Sequence, residues 1–149
     1  MKLPAISVRQ PWATLLAVGA KRYETRSWEP TYRGPIAIHA SGRLHRDDER
    51  WYWDCREAQA ALDAHGYPEI GFLPLGAILA IGRLIDVRPA DSIATLRLSS
   101  WEEAFGDFTP GRWAWEIANV RPLREPIPYK GARGLWQCTI PDDAIEVQP

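Results

Sequence analysis

Apolar and polar residues alternate over several short stretches of the chain and step every third or fourth position over a few others. Residues 3–9 alternate around Ile6 and Val8 and predict a strand. Gln10-Pro11 then opens a helix with proline in its first turn, Trp12, Leu15 and Leu16 form its apolar face, and Gly19 closes it. Residues 21–28 are too irregular to predict a strand, whereas residues 34–40, with Ile36 and Ile38, predict one clearly. Leu44, Trp51, Cys55, Ala58 and Leu62 recur at helical spacing, which predicts a single long helix over residues 43–65 with Gly66 as its stop. Trp53 falls off that face. Residues 66–75 carry Pro68 and Pro74 and predict a loop. Residues 76–87 form a nearly continuous apolar strand, which suits burial on both faces. Ser100-Trp101-Glu102-Glu103 has capping-box spacing and predicts a short helix, and strands follow at 113–120 and 134–140.

Several short strands with two or three interspersed helices predict an α+β domain on a small barrel. The 149 residues suffice for one domain, expected to span 1–149 with a core over about 4–140 and a loosely held tail at 141–149. No apolar run approaches a membrane span, and Pro4 and Arg9 interrupt the N-terminal apolar stretch too early for a secretory signal. Cys55 and Cys138 are far apart and lack CxxC spacing, as expected of two reduced thiols in a cytoplasmic protein.

The net charge of −1 conceals an uneven distribution. Residues 1–46 hold eight Lys/Arg against Glu24 and Glu29, a local net charge of +6, and residues 108–137 carry a further local excess of +3. Such asymmetry predicts a basic face for an anionic partner, while a pI near 6.3 argues for a local cleft over a broad duplex-coating surface.

The candidate chemistry concentrates in the elbow Lys21, Glu24, Thr25, Arg26. Lysine occurs only at positions 2, 21 and 130, beside 15 arginines, so Lys21 stands out as a compact charge with a readily shifted pKa. Glu24 is placed to hold Lys21 charged or to take its proton, and Arg26 offers a planar fork for a phosphate or a base edge. An exposed salt-bridge ladder on an edge strand has the same spacing and would contribute little. Of eight tryptophans, Trp51, Trp101, Trp113 and Trp115 are assigned to packing. Trp12, Trp28 and Trp136 sit near cations, and Trp28 is the preferred base-stacking residue. In the loop at 129–136, Lys130 and Arg133 enclose a glycine that lets backbone approach an anion, without P-loop spacing. His39, His45 and His65 form no metal set with the two cysteines, no cofactor is implied, and His39 reads as a structural histidine. Ser7, Thr25, Ser27 and Lys21 are the candidates for any covalent chemistry.

The segments QPWA, G-x-K-x-x-E-x-RSW and RGPIAIHAS resemble the ASCH domain, the activating-signal-cointegrator homology module of the PUA-like superfamily. The resemblance runs from Ile6 to about Gln137, with 43–65 in a variable region. It implies a PUA-like β-barrel of five to six strands with helices at the rim. The elbow is similar to the cointegrator type, which implies binding of RNA or another single-stranded nucleic acid, or of a modified nucleoside. The contacts would come from Arg9, Gln10, Lys21, Arg26, Trp28, Arg33, Lys130 and Arg133, with Gln10 reading a polar edge. The family also includes ribonucleases and amidohydrolases that deacylate N4-acetylcytidine. On that alternative, Lys21 matches the amidohydrolase lysine, but Glu24 stands where a catalytic threonine is expected and Thr25 lies one step along. A hydrolase would then use Lys21, Glu24 and Thr25. A protein-interaction module without a nucleic-acid ligand is the third reading.

Overall fold

The computed structural model describes residues 1–96 and 98–145. Strands β1 (Lys2–Val8), β2 (Tyr23–Arg26), β3 (Gly34–Ala40), β4 (Ala77–Pro89), β5 (Trp113–Pro128) and β6 (Leu135–Thr139) form one mixed sheet in the order β2-β5-β4-β3-β1-β6. β1 and β3 run parallel and every other pairing is antiparallel. This is an α+β fold, as expected, but the ladder of backbone hydrogen bonds does not close into the expected barrel. β2 curls back until the guanidinium of Arg26 reaches the carbonyl of Ser7 on β1, at 2.6 Å. A side chain therefore bridges the seam that a sixth pairing would have sealed.

Alternation along β1 and β3 divides their side chains between two faces. Ile6, Val8, Ile36, Ile38 and Ala40 enter the main core with Leu84, Ile117 and the fully buried Trp115. Leu3, Ala5 and Ala37 point the other way, into a smaller core with Ile78, Leu123 and Ile140. Ser7 and His39 continue this second face as register partners. A bulge in the β3–β4 pairing falls between Ile38 and His39.

Helix α1 (Trp12–Ala17) begins where the Gln10 carboxamide oxygen accepts the Thr14 N–H, at 3.0 Å. It ends at Gly19, whose φ of +80° suits a residue without Cβ. The single helix expected over 43–65 is two: α2 (Arg46–Asp54) and α3 (Arg56–Ala64), with extended backbone at Cys55. The Gln59 side chain donates to the carbonyls of Tyr52 and Trp53, groups a continuous helix would have paired internally. Periodicity survives the break because both pieces feed one satellite core of Leu15, Tyr52, Cys55, Ala58, Leu62 and Phe105. Trp53 is exposed.

Helix α4 (Ala90–Ala94) was not anticipated, whereas α5 (Ser100–Phe105) was, one residue out of register in its cap. Ser99 is the N-cap and accepts the Glu102 N–H. Glu102 does not complete a capping box. Its carboxylate instead accepts the N–H groups of Arg22 and Tyr23, at 2.7 and 3.2 Å, and pins the start of β2. This explains a strand the alternation pattern missed: Glu24 and Thr25 are buried polar residues, so β2 carries no apolar signature. In the expected loose tail, Arg124 N–H donates to Ala144 and Asp142 meets the N-terminal ammonium, while residues 146–149 lie outside the described ones.

Candidate functional site

A cleft of about 400 Å³ opens where the end of β1 meets β2, α2 and the turn after α5. Three arginines line it, and each already faces a carboxylate. Arg9 makes a bidentate pair with Asp48, at 2.6 and 2.8 Å. Arg26 lies 3.2 Å from Glu24, and Arg112 lies 3.3 Å from Asp107 while donating to the Thr25 carbonyl. The cleft is thus charge-balanced, where a net basic one was expected. Its Arg112 Nε, buried, has no acceptor in hydrogen-bonding geometry among the described residues. Trp12 and Trp51 supply the aromatic wall, their ring centroids 4.6 Å apart.

Lys21 does not face this cleft. Its side chain is 1% exposed, its ammonium donates to the Tyr23 carbonyl, and Glu24 Oε1 lies 3.8 Å away on the cleft side. Burial pulls the Lys21 pKa below the ordinary lysine value, with Glu24 and Glu102 opposing that shift. A sealed ammonium cannot bind a phosphate, so Lys21 supports Glu24 from behind. Gln10 is likewise fully buried, with its amide donating to Thr14 Oγ1 and to the Pro74 carbonyl, so it reads no ligand edge. Trp28 packs edge-on against Trp115, with centroids 4.8 Å apart, and does not line the cleft. Arg33 turns onto the carbonyls of Pro30 and Tyr32 in the β2–β3 connection.

Lys130 and Arg133 lie elsewhere again. They border a second hollow of about 390 Å³ with His39, Ser41, Tyr129 and Gly131, and Ser7 is common to both walls. Neither cation forms an ion pair among the described residues. The elbow and the C-terminal loop therefore flank Ser7 from opposite sides and do not share one cleft. Of the expected site residues, Arg9, Glu24, Thr25 and Arg26 converge in the first hollow, and Lys130 and Arg133 in the second.

Sequence reasoning missed Asp48, Trp51, Asp107 and Arg112. Asp48 and Trp51 share a helix face at i, i+3, but only the turn of α2 toward β1 shows that this face is a cleft wall. Arg112 had a weak signal, as one of the cations in the basic stretch at 108–137.

Burial also lowers the His39 pKa below its ordinary 6.5, against the hydrogen bond to Tyr129 that opposes the shift. The unfolded chain therefore takes up a proton at His39 first as pH falls. Stability from this residue is fully present above about 6.5 and declines as pH drops toward the folded value. Urea midpoints are expected to fall between about pH 7 and pH 5 by less in His39→Asn than in the parent; equal declines would remove His39 from the cause.

A family model described as the ASCH domain matches residues 6–127. The chain is 28% identical over 138 residues to Activating signal cointegrator 1 of Mus musculus and, at the same identity, to that of Homo sapiens. Each alignment covers 89% of this chain and 22% of the relative, so the chain spans about a fifth of those proteins. The crystal structure of ASCH from Zymomonas mobilis superposes with a TM-score of 0.52 at 15% identity, covering 91% of this chain and 87% of that one. A mutant of the same protein gives 0.51 at 14%, over 91% and 87%.

Proposed function

The chain belongs to the ASCH domain family, and on that footing we propose that it binds single-stranded RNA across the two hollows that meet at Ser7. The observation that carries this reading is their division of labour. One hollow is aromatic and charge-balanced, which suits a base held by stacking and by paired donors and acceptors. The other holds two cations without carboxylate partners, which suits backbone phosphates. A base enters between the Trp12–Trp51 wall and the Glu24–Arg26 edge, and the adjoining phosphates lie over Ser7 toward Lys130 and Arg133. Arg9 and Arg112 border the base, with their carboxylates fixing the guanidinium planes. RNA is preferred to DNA because PUA-like domains mostly serve RNA.

Titration with short single-stranded RNA is expected to change tryptophan fluorescence, since two tryptophans line the base-binding hollow. With only two phosphate contacts, log affinity falls with log salt at a slope of about −1.4. The double variant Lys130→Ala/Arg133→Ala flattens that slope. Salt-independent binding would sink the phosphate assignment, and absence of RNA binding would shift the function toward a protein partner.

A further inference from the structure

Ser7 and His39 occupy register-matched positions on neighbouring parallel strands, so their side chains emerge side by side on the sheet face opposite the main core. Ser7 Oγ lies 3.0 Å from His39 Nδ1. The other ring nitrogen, Nε2, lies 2.7 Å from the Tyr129 carbonyl oxygen, which can only accept. Nε2 therefore carries the hydrogen of the neutral ring, Nδ1 presents its lone pair, and the Ser7 hydroxyl donates to it. Trp136 Nε1–H donates to Ser7 Oγ from another side, at 3.1 Å, and its ring packs edge-on against His39. A hydroxyl, a base with its lone pair aimed at that hydroxyl, and a fixed acceptor holding the tautomer are the parts of an activated nucleophile.

The surroundings supply the rest. A Cβ on Gly131 would fall 2.5 Å from Ser7 Oγ and 2.6 Å from His39 Cε1, so only glycine lets this backbone pass so near the hydroxyl. Among the described residues, the N–H groups of Lys130 to Arg133 have no protein acceptor. The Gly131 backbone thus passes beside the nucleophile, and stabilisation of a developing oxyanion would fall to the peptide groups of this loop. The hollow is open and bordered by the Lys130 and Arg133 side chains.

We propose that Ser7 and His39 form a nucleophile–base pair that hydrolyses acyl esters bearing a carboxylate or phosphate group, seated in the hollow on the Lys130–Arg133 side. The Ser7 oxygen attacks the ester carbonyl carbon while its proton passes to His39 Nδ1, and the carbonyl oxygen becomes an oxyanion facing the 130–133 loop. The ester C–O bond then breaks, and His39 returns the proton to the departing alcohol. Water attacks the acyl-serine, giving one proton to His39, and the regenerated Ser7 oxygen takes that proton as the acid leaves. Ester and water become acid and alcohol, with no redox partner. Burial favours the unprotonated ring that the first step needs. This activity stands apart from the RNA reading, since it requires only the second hollow.

The test treats the folded protein with a fluorophosphonate, which phosphonylates an activated serine with loss of fluoride, and reads the adduct by peptide mass spectrometry. Modification at Ser7 is expected, absent in Ser7→Ala and slowed about 10²–10⁴-fold in His39→Asn. Circular dichroism melts establish that each variant is folded, and Ser7→Cys, tested with a thiol-directed acylating ester, retains a nucleophile of similar size. Para-nitrophenyl acetate and the mono-para-nitrophenyl ester of succinic acid are then compared. Faster turnover of the anionic ester, with the preference lost in Lys130→Ala/Arg133→Ala, supports the substrate class. A folded parent unlabelled at Ser7, or labelled there at the same rate in His39→Asn, overturns the proposal. Label at Ser7 with no anionic preference overturns the substrate class.

Discussion

Glu24→Ala is expected to lower the unfolding free energy by about 3–5 kcal/mol, the usual cost of leaving a buried charge without its partner. The stranded group is Lys21, 1% exposed and 3.8 Å from the lost carboxylate. Burial already disfavours its charged form, and removing the first opposing influence leaves Glu102 to act alone. In a chain of this size the melting temperature should drop by roughly 10 °C or more. The informative comparison is the double variant Lys21→Met/Glu24→Gln. If the buried pair causes the loss, the double variant recovers most of the stability, since apolar replacement of a buried ion pair is often close to neutral. Additive losses in the cycle of Lys21→Met, Glu24→Gln and their double variant, read by urea denaturation, would mean that Lys21 and Glu24 act independently.

Trp51→Ala is the second large effect. It should weaken binding of single-stranded RNA by about 5- to 150-fold, corresponding to about 1–3 kcal/mol for a stacked base. Trp51 is half-buried, and its ring abuts Trp12 at one side and Phe105 more distantly. Truncation therefore removes the outer part of the aromatic wall. Trp28→Ala gives the contrast: its ring supports Trp115 inside the main core, so it should reduce the melting temperature and leave the affinity of the folded protein unchanged. If Trp28→Ala weakens binding as strongly as Trp51→Ala, the cleft is not the base site.

These two tryptophans show where the sequence was readable. β1, β3 and the apolar stretch of β4 were visible because their core-facing residues are aliphatic and local in pattern. Gly19 marked the end of α1 for a similarly local reason, its left-handed backbone. β2 was hidden because its interior residues are Glu24 and Thr25, whose burial depends on the adjacent Lys21 and Arg26 and on Glu102 arriving from α5. Lys21 itself resembled a surface cation, since nothing in its spacing shows that the chain closes over it. The same limit applied to Asp48 and Trp51. Their helical face was legible, but its position against β1 depends on the break at Cys55 and the long-range pair with Arg9. Ser7 and His39 were noted separately; only the parallel register of β1 and β3 makes them neighbours.

The cleft has walls of unequal permanence. Glu24 and Arg26 stand on the sheet, Arg9 directly follows β1, and Arg26 also ties β2 to β1, so altering that wall disturbs the frame itself. Asp48 and Trp51 stand on α2, part of a helical pair whose apolar side packs into its own satellite core. The helical pair can therefore be exchanged, with its packing residues retained, while the strands stay as they are. Ligand choice in this architecture is open to revision from one side only: the sheet preserves the fold, and the helices carry the freedom to recognise something new.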